Sequence, residues 1–441
     1  MATTAPASPS IGWRTPAVII ACGCLMAILT FGPRSTFGFF LQPMSNELGW
    51  GRDVFALAVA LQNLLWGAVQ PFAGAVADRY GTIRSLWVGA ILYAAGLVLM
   101  AYSTTPGMLT LSAGVLIGFG LAGASFTIVL AAFGKLLPLE WRSFAFGAGT
   151  AAGSFGQFLF SPLAVALLNS VGWRETLLIF AVLVLLVLPL SFAVALLGTV
   201  GWHNTLIVFA VMVLFCLPLA FAVATPAQDT GAGAAVRPQS FREALGEAFG
   251  HGSYILLVLG FFTCGFHVAF ITTHLPPYLL DKGLEAKWGG WVIAFIGLFN
   301  IIGSITAGIL GGKLPKRYLL SAIYFLRAVA ITGFLLVPVT PTSALMFGAA
   351  MGVLWLSTVP LTSGLVALMF GVRYMATLFG FVFFSHQVGA AVGVWLGGLL
   401  YEQTGSYDVV WWLGAALGIV AALVNLPIRE QPVQRLAAAP A

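Results

Sequence analysis

The stretch Gly74-Ala75-Val76-Ala77-Asp78-Arg79-Tyr80-Gly81-Thr82-Ile83-Arg84 lies between two long apolar segments and contains two glycines and three charged side chains. Charge is rare elsewhere, because only 7% of the whole chain is Asp, Glu, Lys or Arg. A short charged turn between two apolar segments is typical of a loop that joins two membrane-spanning helices at the water surface. The stretch therefore predicts that the segments on both sides of it cross a bilayer.

The composition indicates that the rest of the chain also lies in lipid. Of the 441 residues, 60% are hydrophobic, and the mean hydropathy is +1.02. A water-soluble domain could not keep so many apolar side chains off its surface. A spanning helix needs about 20 apolar residues, and twelve stretches reach that length, with one more at 204–224. The twelve predicted spans are 17–40, 54–74, 84–103, 108–133, 143–168, 176–197, 253–279, 289–311, 318–338, 342–370, 375–400 and 408–428.

The basic residues alternate between two sets of loops. With the N-terminus placed inside, thirteen of the nineteen Lys and Arg residues fall in inner loops and four in outer loops, while Arg34 and Arg327 lie within predicted spans. Such an excess on one side follows the positive-inside rule and differs from the clustered basic patch of a nucleic-acid-binding protein. We therefore predict a multi-pass protein with both termini in the cytoplasm, with the lipid bilayer and no nucleic acid as its partner.

The sixth predicted span is repeated in the chain. Residues 171–195 recur at 200–224 with 17 of 25 positions identical. If both copies spanned the bilayer, the basic loops of the second half would face outward, against the positive-inside rule. We predict that one copy does not span and that it arose by tandem duplication; the alternative is a true thirteenth helix with an inverted second half. The predicted domains are a six-helix half at 1–198, the duplicated segment and a polar linker at 199–251, and a second six-helix half at 252–441.

Two loops in register carry a resemblance to a known family. The pattern of the 74–84 stretch resembles the signature loop of the major facilitator superfamily, and a weaker copy stands at the equivalent turn of the second half, 308–317. The resemblance covers the whole chain apart from the repeat. It implies an all-α membrane protein, a bundle of two six-helix halves that moves a small solute by alternating access. In this chain the repeat adds a duplicated sixth helix segment to that bundle.

The resemblance also assigns a role to the loop itself. In this interpretation Asp78 caps a neighbouring helix and pairs with an arginine across the cytoplasmic face in one access state. An ordinary charged loop that satisfies the positive-inside rule is the alternative. The predicted gating loop consists of Gly74, Asp78, Arg79, Gly81 and Arg84.

Within the superfamily, the first half is most similar to the monocarboxylate transporters and to the bacterial oxalate:formate antiporter group. Arg34 takes the place of a lysine that, in the monocarboxylate family, helps to bind the anion. An ionisable residue deep in a span is a functional hypothesis by default, and a guanidinium stays protonated and can hold a carboxylate through two hydrogen bonds. The alternative is an arginine that reaches to the outer headgroups. The residues that carry the likeness are Gly12, Trp13, Pro33, Arg34, Ser35, Phe39, Phe40 and the stretch 47–52.

The predicted substrate site is completed by His267, His274, Asn300 and His386. His267 and His274 are seven residues apart and so share one helix face, in a span that lines the central cavity of similar carriers; bridging between neighbouring helices is the alternative. Asn300 and Ser304 stand where the monocarboxylate family has an Asp and an Arg. His386 stands where the similar oxalate carriers have a lysine, and its imidazole titrates near neutral pH. For Arg327, in the ninth span, we predict a structural or snorkelling role.

Several classes of function are disfavoured by missing features. None of the thirteen acidic residues lies in the core of a span, which argues against proton coupling through a membrane carboxylate. The chain has neither a phosphate-binding loop nor a His-Glu-x-x-His motif, so we predict no enzyme activity, no cofactor and no metal site.

The predicted function is secondary active or facilitative transport of a small organic anion, a mono- or dicarboxylate. One alternative is a carrier or exporter of neutral or amphipathic compounds, in which Arg34 only anchors its helix. The other is a membrane sensor that keeps the fold and binds its ligand without moving it. Short loops and the likeness to bacterial carriers favour a bacterial inner membrane.

An epitope at the C-terminus tests the number of spans. If one copy of the repeat does not cross the bilayer, the C-terminus is cytoplasmic, and antibody should reach the epitope only after the cells are permeabilised. An N-terminal epitope is the matched control, because both termini are then on the same side. Antibody binding to the C-terminal epitope alone in intact cells would support thirteen spans.

Overall fold

The structure, a computed structural model, describes residues 16–80, 82–125, 128–129, 133, 137–185, 239–371 and 374–433. The regular elements in these residues are all helices. Those of the first half are α1 (Pro16–Ser35), α2 (Gly38–Leu48), α3 (Arg52–Tyr80), α4 (Thr82–Ala101), α5 (Pro106–Leu109), the π-helical turn Thr110–Leu116, α6 (Ile117–Gly123), α7 (Leu139–Val171) and α8 (Trp173–Leu185). Those of the second half are α9 (Phe241–Phe249), α10 (Gly252–Asp281), α11 (Ala286–Gly311), α12 (Lys316–Leu336), α13 (Pro341–Leu354), α14 (Thr358–Phe370), α15 (Met375–Thr404) and α16 (Asp408–Asn425).

Eleven of the twelve predicted spans are confirmed in the described part of the chain. Ten of them are long and apolar enough to cross a membrane. The eleventh consists of α1 and α2, which are bent by 40° relative to each other and together form one span. The span predicted at 176–197 begins as α8 and is described only to Leu185. The second copy of the repeat, 200–224, lies outside the described residues, so the predicted duplication and the domain boundaries stay predictions.

The predicted turn at 74–84 is mostly helical. Gly74, Asp78 and Arg79 lie within α3, and Arg84 lies within α4, so the prediction of an eleven-residue turn was wrong. The 29 residues of α3 give a helix about 44 Å long at about 1.5 Å per residue, which exceeds a hydrocarbon core of about 30 Å. The charged last turn of α3 therefore extends into the headgroup region, where charge is tolerated without a loop.

The linker predicted before the second half contains a short helix that sequence reasoning missed. In α9 the Ser240 hydroxyl accepts a hydrogen bond from the Glu243 backbone N–H, while the Glu243 carboxylate accepts one from the Ser240 N–H. This reciprocal capping box was legible in the sequence as Ser-x-x-Glu. The ring of Phe241 packs edge-on against Tyr374, so α9 lies against the start of α15.

The tenth span is broken between α13 and α14, and side chains from two neighbouring helices bind the free backbone groups. Arg327 of α12 donates to the carbonyl oxygen of Leu354 at 2.7 and 3.1 Å and also to that of Trp355. Asn300 of α11 accepts from the backbone N–H of Leu356 at 2.8 Å. An unpaired backbone group in hydrocarbon costs several kcal/mol, and a cation is stabilised at a helix C-terminus. The break is thus held by a donor and an acceptor supplied from outside the broken helix.

Arg327 is fully buried, with 0% of its surface exposed, and does not reach the headgroups. Its guanidinium lies 5.3 Å from the centre of the Tyr324 ring, one turn earlier in the same helix. Of the two roles considered for Arg327, the structural one agrees with this placement.

Replacing Arg327 with methionine tests the capping of the broken span. The variant keeps much of the side-chain volume but leaves two buried carbonyls without their donor, and we expect a loss of about 1–3 kcal/mol in unfolding free energy. The measurement is the thermal unfolding midpoint of the purified protein in detergent. Arg174→Met is the control, because Arg174 pairs with Glu47 at an exposed surface site. Equal midpoints for the two variants would contradict the capping role.

Candidate functional site

Arg34 lies inside the bundle, at the end of α1 and next to the bend of the first span. Only 6% of its surface is exposed. Its Nη2 donates to Oδ1 of Asn63 in α3 at 2.7 Å, and its guanidinium carbon is 5.9 Å from the centre of the Trp66 ring. The side chain therefore points toward α3, and it does not extend to the headgroups.

The guanidinium of Arg34 has donor capacity left over. Asn63 donates its own amide to the carbonyl of Val59 at 2.7 Å, which fixes its oxygen toward the arginine. The Nε atom of Arg34 and the buried hydroxyl of Tyr93 have no hydrogen-bond partner among the described residues. No carboxylate within the described ranges forms an ion pair with Arg34. The unpaired N–H group of this guanidinium can therefore donate a hydrogen bond to an anion.

An aromatic pair joins Arg34 to His386 across the two halves. Trp66 of α3 meets Phe383 of α15 edge-on, with ring centres 5.5 Å apart. Phe383 in turn stacks on His386 at 5.5 Å with an interplanar angle of 8°. His386 is 7% exposed, and its Nδ1 lies 3.1 Å from Oε1 of Gln387. The structure thus brings two of the predicted binding residues into one layer where the halves meet.

The other two histidines face away from this layer. His267 Nε2 donates to the carbonyl of Gly414 in α16 at 2.7 Å. His274 Nε2 donates to the carbonyl of Val394 in α15 at 2.8 Å, and its Nδ1 is 3.3 Å from the Tyr407 hydroxyl. Both rings share one face of α10, as their spacing predicts, and that face packs on α15 and α16 of their own half. Their geometry matches the alternative of bridging between helices.

Asn300 forms hydrogen bonds with three protein groups. Besides accepting from Leu356, its Oδ1 accepts from the Ser304 hydroxyl at 3.1 Å. Its Nδ2 donates to the hydroxyl of Ser154 in α7 at 2.6 Å. Asn300 therefore connects α7 of the first half with the broken tenth span of the second.

The described side chains of the predicted gating residues form no ion pair with another described residue. Arg79 and Arg84 are exposed, and Arg79 lies 5.4 Å from the ring of Tyr80. The side chain of Asp78 and the whole of Gly81 lie outside the described residues. A Cβ placed on Gly74 would meet no atom within 4 Å, so no close helix approach requires a glycine there in this conformation.

Sequence reasoning missed the strongest polar contact between the halves, which centres on Arg52 at the start of α3. Its guanidinium binds both carboxylate oxygens of Asp281 at 2.7 and 2.8 Å, lies 3.9 Å from the centre of the Tyr401 ring, and donates to the Tyr407 hydroxyl at 3.1 Å. Its backbone N–H donates to Glu402 at 2.7 Å. We call this end of the bundle the Arg52 end.

Backbone contacts close the bundle from the Arg52 end to its middle. A Cβ on Gly38 would overlap the carbonyl oxygen of Thr272, and one on Gly398 would overlap the side chain of Ala56. A Cβ on Gly297 would lie 2.6 Å from the carbonyl oxygen of Ser154. These contacts join α2 to α10, α15 to α3 and α11 to α7, each a pair drawn from both halves. The structure is therefore closed toward the Arg52 end.

Replacing Arg52 with an uncharged glutamine tests this closure. Arg52→Gln should shift the closed-to-open ratio of the Arg52 end by about 1 kcal/mol, or roughly 5-fold, since the ion pair is only partly shielded. The measurement is the maleimide labelling rate of a cysteine placed at Thr273, which is buried at that end. Lys287→Gln is the control, because Lys287 pairs with Glu285 within the second half. Equal labelling of parent and Arg52→Gln proteins would exclude a closing role.

Comparison with known proteins gives consistent matches. The family model described as Major Facilitator Superfamily matches residues 23–196 and 190–393. A Bacillus subtilis protein named uncharacterized MFS-type transporter YcxA is 26% identical over 394 residues, covering 86% of each chain. Monocarboxylate transporter 13 of Bos taurus is 23% identical over 441 residues, covering 95% of this chain and 90% of the relative. The structure of the xylose transporter XylE from E. coli, in an inward open conformation, matches with a TM-score of 0.65 and 16% identity over 94% of this chain and 96% of that one.

Proposed function

Because the chain belongs to the major facilitator superfamily and is therefore a membrane transport protein rather than an enzyme, we propose that it carries a small organic anion, a mono- or dicarboxylate, by alternating access. The single observation that supports this cargo is the placement of Arg34. A permanent cation lies in the bundle interior with unused donors and without a carboxylate partner in the described residues. A carboxylate cargo neutralises that charge.

Arg34 offers a carboxylate a planar set of N–H groups at a fixed position. The hydrogen bond to Asn63 orients the guanidinium, so little conformational freedom is lost when the cargo binds. Charge-assisted hydrogen bonds of this kind contribute about 1.5–3 kcal/mol. The rings of Trp66 and Phe383 supply an apolar wall beside it, which suits a short hydrocarbon backbone on the anion.

His386 is the second group that we assign to the cargo. It reaches the layer from the other half of the bundle, so an anion that contacts both Arg34 and His386 binds the two halves together. A guanidinium keeps its proton, and so any proton coupling at this site involves His386. We assign His267, His274 and Asn300 to joints between helices, because each of them donates a hydrogen bond to a group on a neighbouring helix.

We further propose that the Arg52 end faces the outside of a bacterial inner membrane, with both termini in the cytoplasm. The excess of Lys and Arg at the opposite end supports this orientation. The closed Arg52 end then corresponds to a state that exchanges cargo with the cytoplasm. The stretch from Gly74 to Arg84, at the end of α3 and the start of α4, lies at the cytoplasmic end in this arrangement, where its charges can pair once that end closes.

The names of relatives support an anionic cargo. Several relatives are called monocarboxylate transporters. One observation favours a second candidate, a neutral or amphipathic cargo: the Trp66–Phe383 pair offers an aromatic surface beside Arg34. A sensor that binds without transport is the third candidate, and the same experiment separates all three.

Uptake by proteoliposomes tests the role of Arg34. With a panel of labelled mono- and dicarboxylates, Arg34→Gln should reduce uptake at least about 10-fold, the loss expected for one charged hydrogen bond. Arg34→Lys should keep part of the activity, because it retains a charge but not the planar pair of donors. Arg174→Gln, an exposed arginine, is the control and should transport like the parent.

Three outcomes would overturn the proposal. Full carboxylate uptake by Arg34→Gln would show that the cation does not bind the cargo. Uptake of neutral compounds alone, equal in parent and variant, would favour the amphipathic cargo. Saturable binding of a carboxylate without flux would favour the sensor.

A further inference from the structure

A crevice of about 430 Å³ opens in the second half at the Arg52 end. This volume falls in the range of about 300–1,000 Å³ that is usual for ligand pockets. Its walls come from the end of α10, the residues that follow α12 and the start of α16. The lining residues used below are Tyr278, Lys282, Val337, Pro338, Asp408 and Trp412.

The crevice holds two opposite charges that are not paired with each other. Lys282 and Asp408 both line it, and neither forms an ion pair within the described ranges of the chain. The ammonium of Lys282 lies 5.4 Å from the centre of the Tyr278 ring. Tyr278 is only 5% exposed, and its hydroxyl forms no hydrogen bond to another described residue. The crevice therefore presents a cation, an anion and an unpartnered phenol at one site.

The surroundings of the crevice are apolar and exposed. Leu336 is 71% exposed, Val409 54% and Trp412 48%. These residues lie at the ends of α12 and α16, at the depth where a span leaves the hydrocarbon. Tyrosine and tryptophan at that depth are typical of the headgroup region. A ligand of the crevice thus meets charges inside and hydrocarbon at the mouth.

We propose that the crevice binds the headgroup of a phospholipid that carries a phosphate and a primary ammonium, of the phosphatidylethanolamine class. Lys282 and the Tyr278 hydroxyl bind the phosphate, Asp408 accepts hydrogen bonds from the ammonium, and the acyl chains lie against Leu336 and Trp412. An anionic phosphatidylglycerol places no cation beside Asp408. A trimethylated phosphatidylcholine has no N–H to donate to it, and charge-assisted hydrogen bonds are the stronger kind.

Lipid binding to the purified full-length protein tests the site. Phosphatidylethanolamine, phosphatidylcholine and phosphatidylglycerol with identical acyl chains are added in detergent, and the number of retained lipids is measured by native mass spectrometry. We expect retention in the order ethanolamine, choline, glycerol. Asp408→Asn should reduce the ethanolamine-over-choline preference about 3-fold, as for a partly exposed ion pair. Lys282→Gln should weaken the retention of both lipids alike.

The controls lie at the same end of the molecule. Lys287→Gln and Glu285→Gln remove an exposed pair outside the crevice and should leave the preference unchanged. Competition by glycerophosphoethanolamine, which has no acyl chains, should be at least about 10-fold weaker than by the lipid, because each buried CH₂ group contributes about 0.8 kcal/mol. Equal competition would assign the crevice to a soluble ligand and overturn the lipid proposal. The absence of an ethanolamine preference in the parent, or a preference unchanged in Asp408→Asn, would overturn it as well.

Discussion

Hydrocarbon offers no hydrogen bonds, so every polar group that this bundle places in the bilayer must find its partner inside the protein. Two guanidinium groups meet that constraint in different ways. Arg327 binds the carbonyls at the end of α13 and so satisfies backbone groups that the break had left open. Arg34 has one amide partner and binds no backbone carbonyl, and each arginine keeps one N–H group without a partner in the described residues, Nε of Arg34 and Nη1 of Arg327. The first arginine stabilises the scaffold, and the second is the group that we propose to bind the cargo.

The same constraint explains how the polar residues are distributed between the halves. His267, His274 and Arg327 connect helices within the second half, and their partners are backbone carbonyls, which keep their place while a half moves as a unit. Contacts between the halves are of another kind. They include glycine–backbone approaches, the aromatic pair Trp66–Phe383, the group around Arg52 and side-chain hydrogen bonds between α7 and α11, such as that from Asn300 to Ser154. Such contacts can separate without leaving a hydrocarbon-buried backbone group unpaired.

The spans of the described residues and the two-half arrangement could be predicted from the sequence, because apolar length is a local property that the bilayer thickness fixes. The end of α3 could not, since hydropathy falls where hydrocarbon stops and the helix continues to Tyr80. The break in the tenth span does have a signal in the sequence, which is a proline. Pro360 lacks the N–H that would bind the carbonyl of Leu356, and it therefore favours a helix start near Thr358.

For the candidate site, the sequence could predict which residues share a helix face but not which neighbouring helices that face contacts. Periodicity placed His267 and His274 on one face of α10, but α10 is apolar on every side, so the pattern could not tell which neighbours that face meets. The partner of Arg52 lies 229 residues away, beyond the reach of any local spacing rule.

Dissolved ions reach the partly exposed Arg52 pair and the buried Arg327 guanidinium unequally. At about 0.15 M ionic strength the screening length is about 8 Å, so salt competes for the partly exposed Arg52 pair while the buried guanidinium of Arg327 is shielded from it. Ionic strength should consequently alter the conformational cycle while leaving the packing of each half intact.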